Sequence, residues 1–159
     1  MEIERKFLIH TLPESLTSYP HHTISQAYVN TSPVIRIRQK DDTWILTVKS
    51  KGAMAREELE LPLTEEEYLH LFSKKEGIVI EKNRYRIPDD KGYVIELDVF
   101  HGVYDGLVLA EVEFPSLSEA EQYIPPKWFG REVTTDFRFH NSNLSCNTPA
   151  QIRELFKDI

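Results

Sequence analysis

Apolar and polar residues alternate with a period of two over most of this chain, the spacing of β-strands whose two faces meet different surroundings. The first such stretch begins at residue 2. Glu2, Glu4 and Lys6 share one face, while Ile3, Arg5 and Phe7 share the other. Seven more stretches repeat the pattern, over residues 24–29, 34–40, 44–51, 56–61, 79–87, 93–100 and 107–114. Turn-forming clusters separate several of them: Asn30-Thr31-Ser32-Pro33, Asp41-Asp42 and Asp89-Asp90-Lys91-Gly92. Such short polar connections predict antiparallel hairpins.

The period changes in three places. Thr64 precedes an acidic turn, and Leu63, Tyr68, Leu71 and Phe72 then fit an amphipathic helix that runs on to a stop at Gly77. A second helix starts at Ser116 or Ser118, reaches about Tyr123 and is stopped by Pro125-Pro126. Thr148-Pro149 caps a third, with Ile152, Leu155 and Phe156 as its apolar stripe. Residues 11–22 read as a loop with room for one helical turn, and residues 130–147 as an irregular tail carrying Asp136 and Arg138. Nothing longer than a hairpin repeats and no linker interrupts the pattern. The expectation is a single α+β domain over residues 1–159.

The polar faces are unusual in being ionised and sorted by sign. Arg36, Arg38 and Lys40 line one stretch, Lys49 and Lys51 the next, and Lys82, Arg84 and Arg86 a later one. Glu96 with Asp98, and Glu111 with Glu113, make the last two acidic, while the first stretch and Arg56-Glu57-Glu58-Leu59-Glu60 are mixed. A solvated sheet face calls for Ser, Thr and interspersed charges instead. Sorted signs fit a site for an anion bridged to a metal ion. Closing eight antiparallel strands into a barrel would turn this face inward, with the helices covering the apolar outside. Such an interior must be wet and mutually neutralising, because an unpaired buried charge is very costly. Two carboxylates roughly 7 Å apart along a strand, such as Glu2 and Glu4, can converge on one hard cation. Lys40 and Arg86 lie near strand ends and read as solvated. Outer-membrane barrels alternate in a similar way, but the amphipathic helices argue against that reading.

Composition removes other classes. A formal charge of −7 on 159 residues disfavours non-specific nucleic-acid binding, and no aromatic residues fall in phase with the basic ones. A hydrophobic fraction of 40% and short apolar runs do not suit a membrane protein. The one cysteine, Cys146, cannot form an internal disulfide, which suits a cytoplasmic location, and no leader is expected before Glu2. Cys146 lacks the neighbours of a nucleophile. His21-His22 has no metal-ligand spacing, and Trp44 falls on the apolar face with Leu46 and Val48. No phosphate-binding glycine loop is present, so phosphate would be held by side chains.

Glu2-x-Glu4-x-Lys6 resembles the ExExK signature of the CYTH superfamily, the triphosphate tunnel metalloenzymes. The later elements follow in the family's order: Arg36-x-Arg38, Lys49-x-Lys51, Arg56-x-Glu58-x-Glu60, Lys82-x-Arg84, Glu96-x-Asp98, Glu111-x-Glu113 and Asp136-x-Arg138. The resemblance implies an eight-stranded antiparallel β-barrel whose tunnel binds triphosphate with Mg²⁺ or Mn²⁺. It implies catalytic roles for Glu2, Glu4, Lys6, Glu111 and Glu113. Metal would be held by Glu2, Glu4, Glu111 and Glu113, with Glu96 and Asp98 candidates for a second ion. Phosphate oxygens would be gripped by Lys6, Arg36, Arg38, Lys49, Lys51, Arg56, Lys82, Arg84 and Arg138. Glu58 and Glu60 would orient neighbouring cations. The expected activity is hydrolysis of inorganic triphosphate to pyrophosphate and phosphate. Nucleoside or thiamine triphosphate hydrolysis and a class IV adenylate cyclase reaction are alternatives, and a triphosphate or polyphosphate sensor is the non-enzymatic one. Paired barrels in a homodimer are also implied.

Overall fold

A computed structural model describes residues 1–159. It contains nine strands: β1 (Glu2–Leu8), β2 (His21–Thr31), β3 (Val34–Lys40), β4 (Thr43–Lys49), β5 (Ala55–Arg56), β6 (Glu58–Leu63), β7 (Glu76–Pro88), β8 (Val94–His101) and β9 (Val108–Glu113). Four α-helices join them: α1 (Glu65–Phe72), α2 (Leu117–Gln122), α3 (Asn141–Leu144) and α4 (Pro149–Lys157). No helix is long and apolar enough to cross a membrane.

The strands form one antiparallel sheet in the order β5-β1-β9-β8-β7-β2-β3-β4-β6. Its two edge strands, β5 and β6, are consecutive in the chain and separated only by Glu57. The sheet therefore curls until its ends meet, giving a nearly closed barrel. This accounts for nine strands where eight were expected. The stretch 56–61 crosses the seam, so its first residues pair with β1 and the remainder with β4. No straight strand can pair with both edges at once.

The alternating pattern sorts as anticipated for two of the three apolar clusters, which lie on outward positions under α1 and α2. The third lies on inward positions, with Leu8 in phase with Lys6, Ile80 with Lys82, Phe100 with Asp98 and Leu109 with Glu111. The interior is therefore charged in one part and apolar in the other, where α4 packs against it. Tyr68 of α1 packs with Ala27 and Ile37, alongside Trp44, Leu46, Leu71 and Phe72. Ala120 of α2, with Tyr123 just beyond it, joins Ile3, Ile95, Leu97, Val112 and Phe114. Leu155 of α4 joins Leu8, Ile80, Phe100, Leu107 and Leu109. Capping boxes start α1 at Thr64 and α4 at Thr148. The cover is incomplete at the seam, where Leu59 and Leu61 of β6 remain exposed.

Two expectations need correction. The first helix stops at Phe72 instead of running to Gly77, because Glu76 already belongs to the 13-residue β7, which pairs with both β2 and β8. Gly77 lies inside that strand at φ 71°, where a Cβ would sit 2.1 Å from the Ser145 carbonyl oxygen. The tail at 130–147 is also more ordered than its composition suggests. Its first part runs beside β1, with Leu8 N–H donating to the Arg131 carbonyl and Val133 N–H to the Lys6 carbonyl. It then makes a 3-10 turn at Phe137–Phe139 and enters α3.

Arg5 pins this tail to α2 from the apolar side of the barrel wall. Its guanidinium holds Glu132 through Nε and Nη2, at 2.9 and 2.7 Å, and donates from Nη1 to the carbonyls of Ala120 and Tyr123, both at 2.8 Å. A cation at a helix C-terminus satisfies carbonyls that have no partner within the helix. We expect Arg5→Met to lower unfolding free energy by about 1.5–3 kcal/mol, the range for hydrogen bonds to charged groups. A urea titration would show this as a lower midpoint at unchanged slope; an unaltered midpoint would deny Arg5 that role.

Candidate active site

The inward faces enclose a cavity of about 210 Å³. β1 contributes Glu2, Glu4 and Lys6; β3 contributes Arg36, Arg38 and Lys40; β4 contributes Lys49; and Arg56 comes from β5. Glu58, Glu60, Arg84, Glu96, Glu111 and Glu113 complete its charged lining. Only Tyr28, Val34 and Ile45 among the lining residues are hydrophobic. Because strands pair in register, charges that are distant in sequence become direct neighbours.

Half of the wall is a chain of ion pairs. Asp98 is fully buried and is gripped by Lys82 at 2.7 Å and by Arg84 at 2.7 and 2.8 Å. Burial alone would push its carboxyl up, but Arg84 and Lys82 outweigh this and hold it below the ordinary aspartate range. Arg84 extends to Glu96 at 3.3 Å and Glu111 at 3.7 Å, and Glu111 reaches Lys6 at 3.4 Å. Despite burial, Lys6 and Arg84 keep Glu111 ionised, well below the usual carboxylate range. Across the seam, Lys49 binds Glu2 at 2.9 Å and Glu58 at 3.3 Å. Glu58 thus orients a neighbouring cation, as expected.

The strand β3 is different. Arg36, only 6% exposed, donates from Nη2 to Thr47 Oγ1 at 2.9 Å, and its buried Nε has no partner. Arg38 donates from Nε and Nη2 to Gln26 Oε1 at 2.9 and 2.7 Å. Gln26 is held in turn by donating to the Tyr28 hydroxyl at 2.8 Å. Neither arginine, nor Lys40, has a carboxylate within ion-pair distance. Burial, reinforced by Arg36 and Arg84, brings the Arg38 pKa down to about 9. These guanidiniums, one buried and one half-buried, are fixed by neutral partners and lack a counter-ion.

The acidic side carries the opposite imbalance. Glu4 sits directly opposite Glu113 across the β1–β9 ladder, and Glu96 directly opposite Glu111 across β8–β9. Like charges at paired positions are destabilising unless something neutralises them. Glu4 has only Arg56 within ion-pair distance, at 3.9 Å. Burial, then the charges of Glu111 and Glu2, push its carboxyl up to about 8. Burial with Glu2 and Glu96 raises Glu113 as well. This oxygen-only donor set suits a hard divalent cation. No three carboxylates or imidazoles are grouped into a ready-made cage. A cation held by Glu2, Glu4, Glu111, Glu113 or Glu96 would therefore complete its shell with anion oxygens and water, as Mg²⁺ commonly does.

Four expected residues fall outside the lining. Lys51 lies past the end of β4, exposed, where the chain has left the barrel wall. Arg138 points outward, bound to Asp136 at 2.7 Å and Asp158 at 2.6 Å, because the 3-10 turn swings it away from the barrel. Lys82 and Asp98 face inward but pair with one another deeper in the barrel than the cavity, beside Phe100. In that position Asp98 would have to lose two cations to meet a metal. Lys40, read as solvated, lines the cavity, whereas Arg86 is 43% exposed and pairs with Glu96 at 3.4 Å. Sequence reasoning missed His140, Asn141 and Ser142, which close one side of the cavity. Their tail has no periodicity to expose them. Gln26 and Tyr28 did carry a signal, being in phase with the charged face. His140 donates from Nε2 to the Thr134 carbonyl at 3.2 Å, and burial beside Lys6 lowers its pKa to about 4, so it is neutral at pH 7.

Residues 1–142 match the family model described as the CYTH domain. The chain is 41% identical over 154 residues to an inorganic triphosphatase of Nitrosomonas europaea, covering 93% of this chain and 99% of that one. It is 37% identical over 158 residues to an inorganic triphosphatase of Acetivibrio thermocellus, covering 96% and 98%. A solved crystal structure of an inorganic triphosphatase superposes with a TM-score of 0.71 at 37% identity, over 94% of this chain and 97% of that one. A Hippeastrum protein described as having a dominant triphosphatase activity shares the fold, with a TM-score of 0.56 at 16% identity over 76% of this chain and 83% of that one.

The Glu4 carboxyl supplies a pH test. Its folded pKa of about 8 lies above the ordinary glutamate value of 4.5, so between these values the folded state binds more protons than the unfolded state. The resulting stability is complete below about 4.5 and is lost as pH rises towards 8. In chelator, the melting temperature of Glu4→Gln should therefore gain on the parent protein between pH 5 and 8, by about 2–4 °C per kcal/mol relieved. Added Mg²⁺ should raise the parent's melting temperature more at pH 8 than at pH 5. Parallel pH profiles for the two proteins would mean that Glu4 titrates as an ordinary carboxylate.

Proposed function

The chain belongs to the CYTH-domain family, and we propose that it hydrolyses inorganic triphosphate to pyrophosphate and phosphate with the help of a divalent cation, Mg²⁺ or Mn²⁺. The observation carrying this reading is the pair of arginines, Arg36 buried and Arg38 half-buried, whose guanidiniums lack any counter-ion. An extended polyanion lying along β3 would engage Arg36, Arg38 and Lys40 together, and Lys6, Lys49, Arg56 and Arg84 surround the same space. A monophosphate would leave most of these cations unmatched. The cavity volume of about 210 Å³ is below the roughly 300–1,000 Å³ of pockets that bury drug-sized ligands. That favours triphosphate with no organic group attached. The two inorganic triphosphatases noted above support the same substrate.

The chemistry asks the protein for position and charge. Water attacks the terminal phosphorus, a P–O–P bond breaks, and pyrophosphate leaves. Lysine and arginine side chains fixed before the substrate arrives stabilise the charge that develops on phosphate oxygens, at no reorganisation cost during the reaction. Lys6 is aimed by its bond to the Phe139 carbonyl at 3.2 Å, and Arg84 by its two bonds to Asp98. When bound, the cation would neutralise phosphate charge and lower the pKa of water. Glu2, Glu4, Glu111 and Glu113 are the residues to hold it, with Glu96 beside them.

Phosphate release from inorganic triphosphate, ATP, thiamine triphosphate and pyrophosphate, compared with Mg²⁺ and then Mn²⁺, tests the proposal. The highest kcat/KM should belong to inorganic triphosphate. Cyclic AMP from ATP would favour the cyclase instead, and tight triphosphate binding without turnover would favour a sensor. Arg38→Met should reduce kcat/KM about 10- to 100-fold, the loss of one to two charge-assisted hydrogen bonds. Unchanged turnover in that variant would remove β3 from the binding site.

A further inference from the structure

Lys82 has the phase of a phosphate-binding residue, yet its side chain is fully buried and does not line the cavity. Its ammonium donates to Asp98 at 2.7 Å and lies 3.5 Å from Asn141 Oδ1. An ammonium only donates, so it selects the carbonyl oxygen of the amide and turns the amide NH₂ away from itself. Asn141 lines the cavity, and its Nδ2 makes no hydrogen bond within the protein. The Lys6 ammonium is fastened one turn earlier in the same segment, to the Phe139 carbonyl.

We propose that Asn141 is a substrate-binding residue whose amide NH₂, oriented by Lys82, donates to a phosphate oxygen of the bound triphosphate. This deepens the reading of the cavity as a triphosphate site and rests on it. Lys82 is then a positioning residue, acting on the anion through Asn141. The arrangement has a chemical logic. A neutral donor adds a contact for the anion without adding another cation to a wall where Arg36, Arg38 and Arg84 already repel one another. An aspartate here would place a negative charge against the phosphate.

The test separates this role from simple support of Lys82. Binding of inorganic triphosphate is measured by titration calorimetry in chelator, turnover is measured with Mg²⁺, and ligand-free melting temperature is recorded for the parent protein, Asn141→Ala and Asn141→Asp. Asn141→Ala should weaken binding about tenfold, the loss of a hydrogen bond to a charged acceptor. Asn141→Asp should weaken it more than tenfold while melting no lower than the parent, since its carboxylate pairs with Lys82. KM should rise in both, with kcat nearly unchanged. Parent-like affinity in Asn141→Asp would overturn the inference, because a residue that only supports Lys82 tolerates a carboxylate. Parent-like affinity in Asn141→Ala would overturn it too, whatever the folding of the aspartate variant. A parent protein that binds triphosphate but does not hydrolyse it would overturn the hydrolase reading alone, and the affinities would still decide Asn141. A parent protein that does not bind triphosphate would overturn both.

Discussion

Charges inside a closed sheet cannot be left to water, so each must find an opposite charge or a fixed dipole. Asp98 is the anchor of this constraint. Fully buried, it fixes Lys82 and Arg84, and through Arg84 the network reaches Glu96, Glu111 and Lys6. A second network, Lys49 with Glu2 and Glu58, ties the two sides of the seam. What these networks leave unmatched underlies the proposed function: cations on β3 without anions, and Glu4 and Glu113 facing each other across β1 and β9 with only Arg56, 3.9 Å from Glu4, beside them. A polyanion bridged to a divalent metal supplies both missing partners in a single ligand complex.

The polar interior in turn dictates the exterior. A barrel whose charges fill one part of its interior leaves its outer face and the rest of its interior for apolar packing. Hence three clusters, two outside under α1 and α2 and one inside, against which α4 packs. Arg5 is the exception that joins the layers. It lies on the outer face with Ile3 and Phe7, where it caps α2 and holds Glu132. Glu132 accepts from Thr134 Oγ1, and that oxygen accepts the Lys6 amide, so the outer shell meets the cavity wall at Lys6.

Much of the site was legible because alternation on a strand is a local property. Glu2, Glu4, Lys6, Arg36, Arg38, Lys49, Arg56, Arg84, Glu96, Glu111 and Glu113 all have the correct phase and all face one cavity. Phase cannot report depth, however. Lys82 and Asp98 share the phase of Arg84 and Glu96, yet lie deeper in the barrel, next to the inward apolar residues Ile80 and Phe100, where they pair with each other. Phase also has no meaning beyond the end of a strand, which is why Lys51 and Arg138 fall elsewhere.

By itself the sequence determined which side chains share a face, where α1 and α4 begin, and that sorted charges had to meet. These follow from backbone geometry and from capping by the nearest few residues. Only the tertiary structure decided which strands are neighbours, that residue 57 crosses the seam, that Gly77 belongs to a strand packed against Ser145, and that His140 and Asn141 complete the cavity. Those outcomes depend on pairing between residues far apart in the chain. Register and closure are set by the whole sheet at once, and a local pattern carries no record of them.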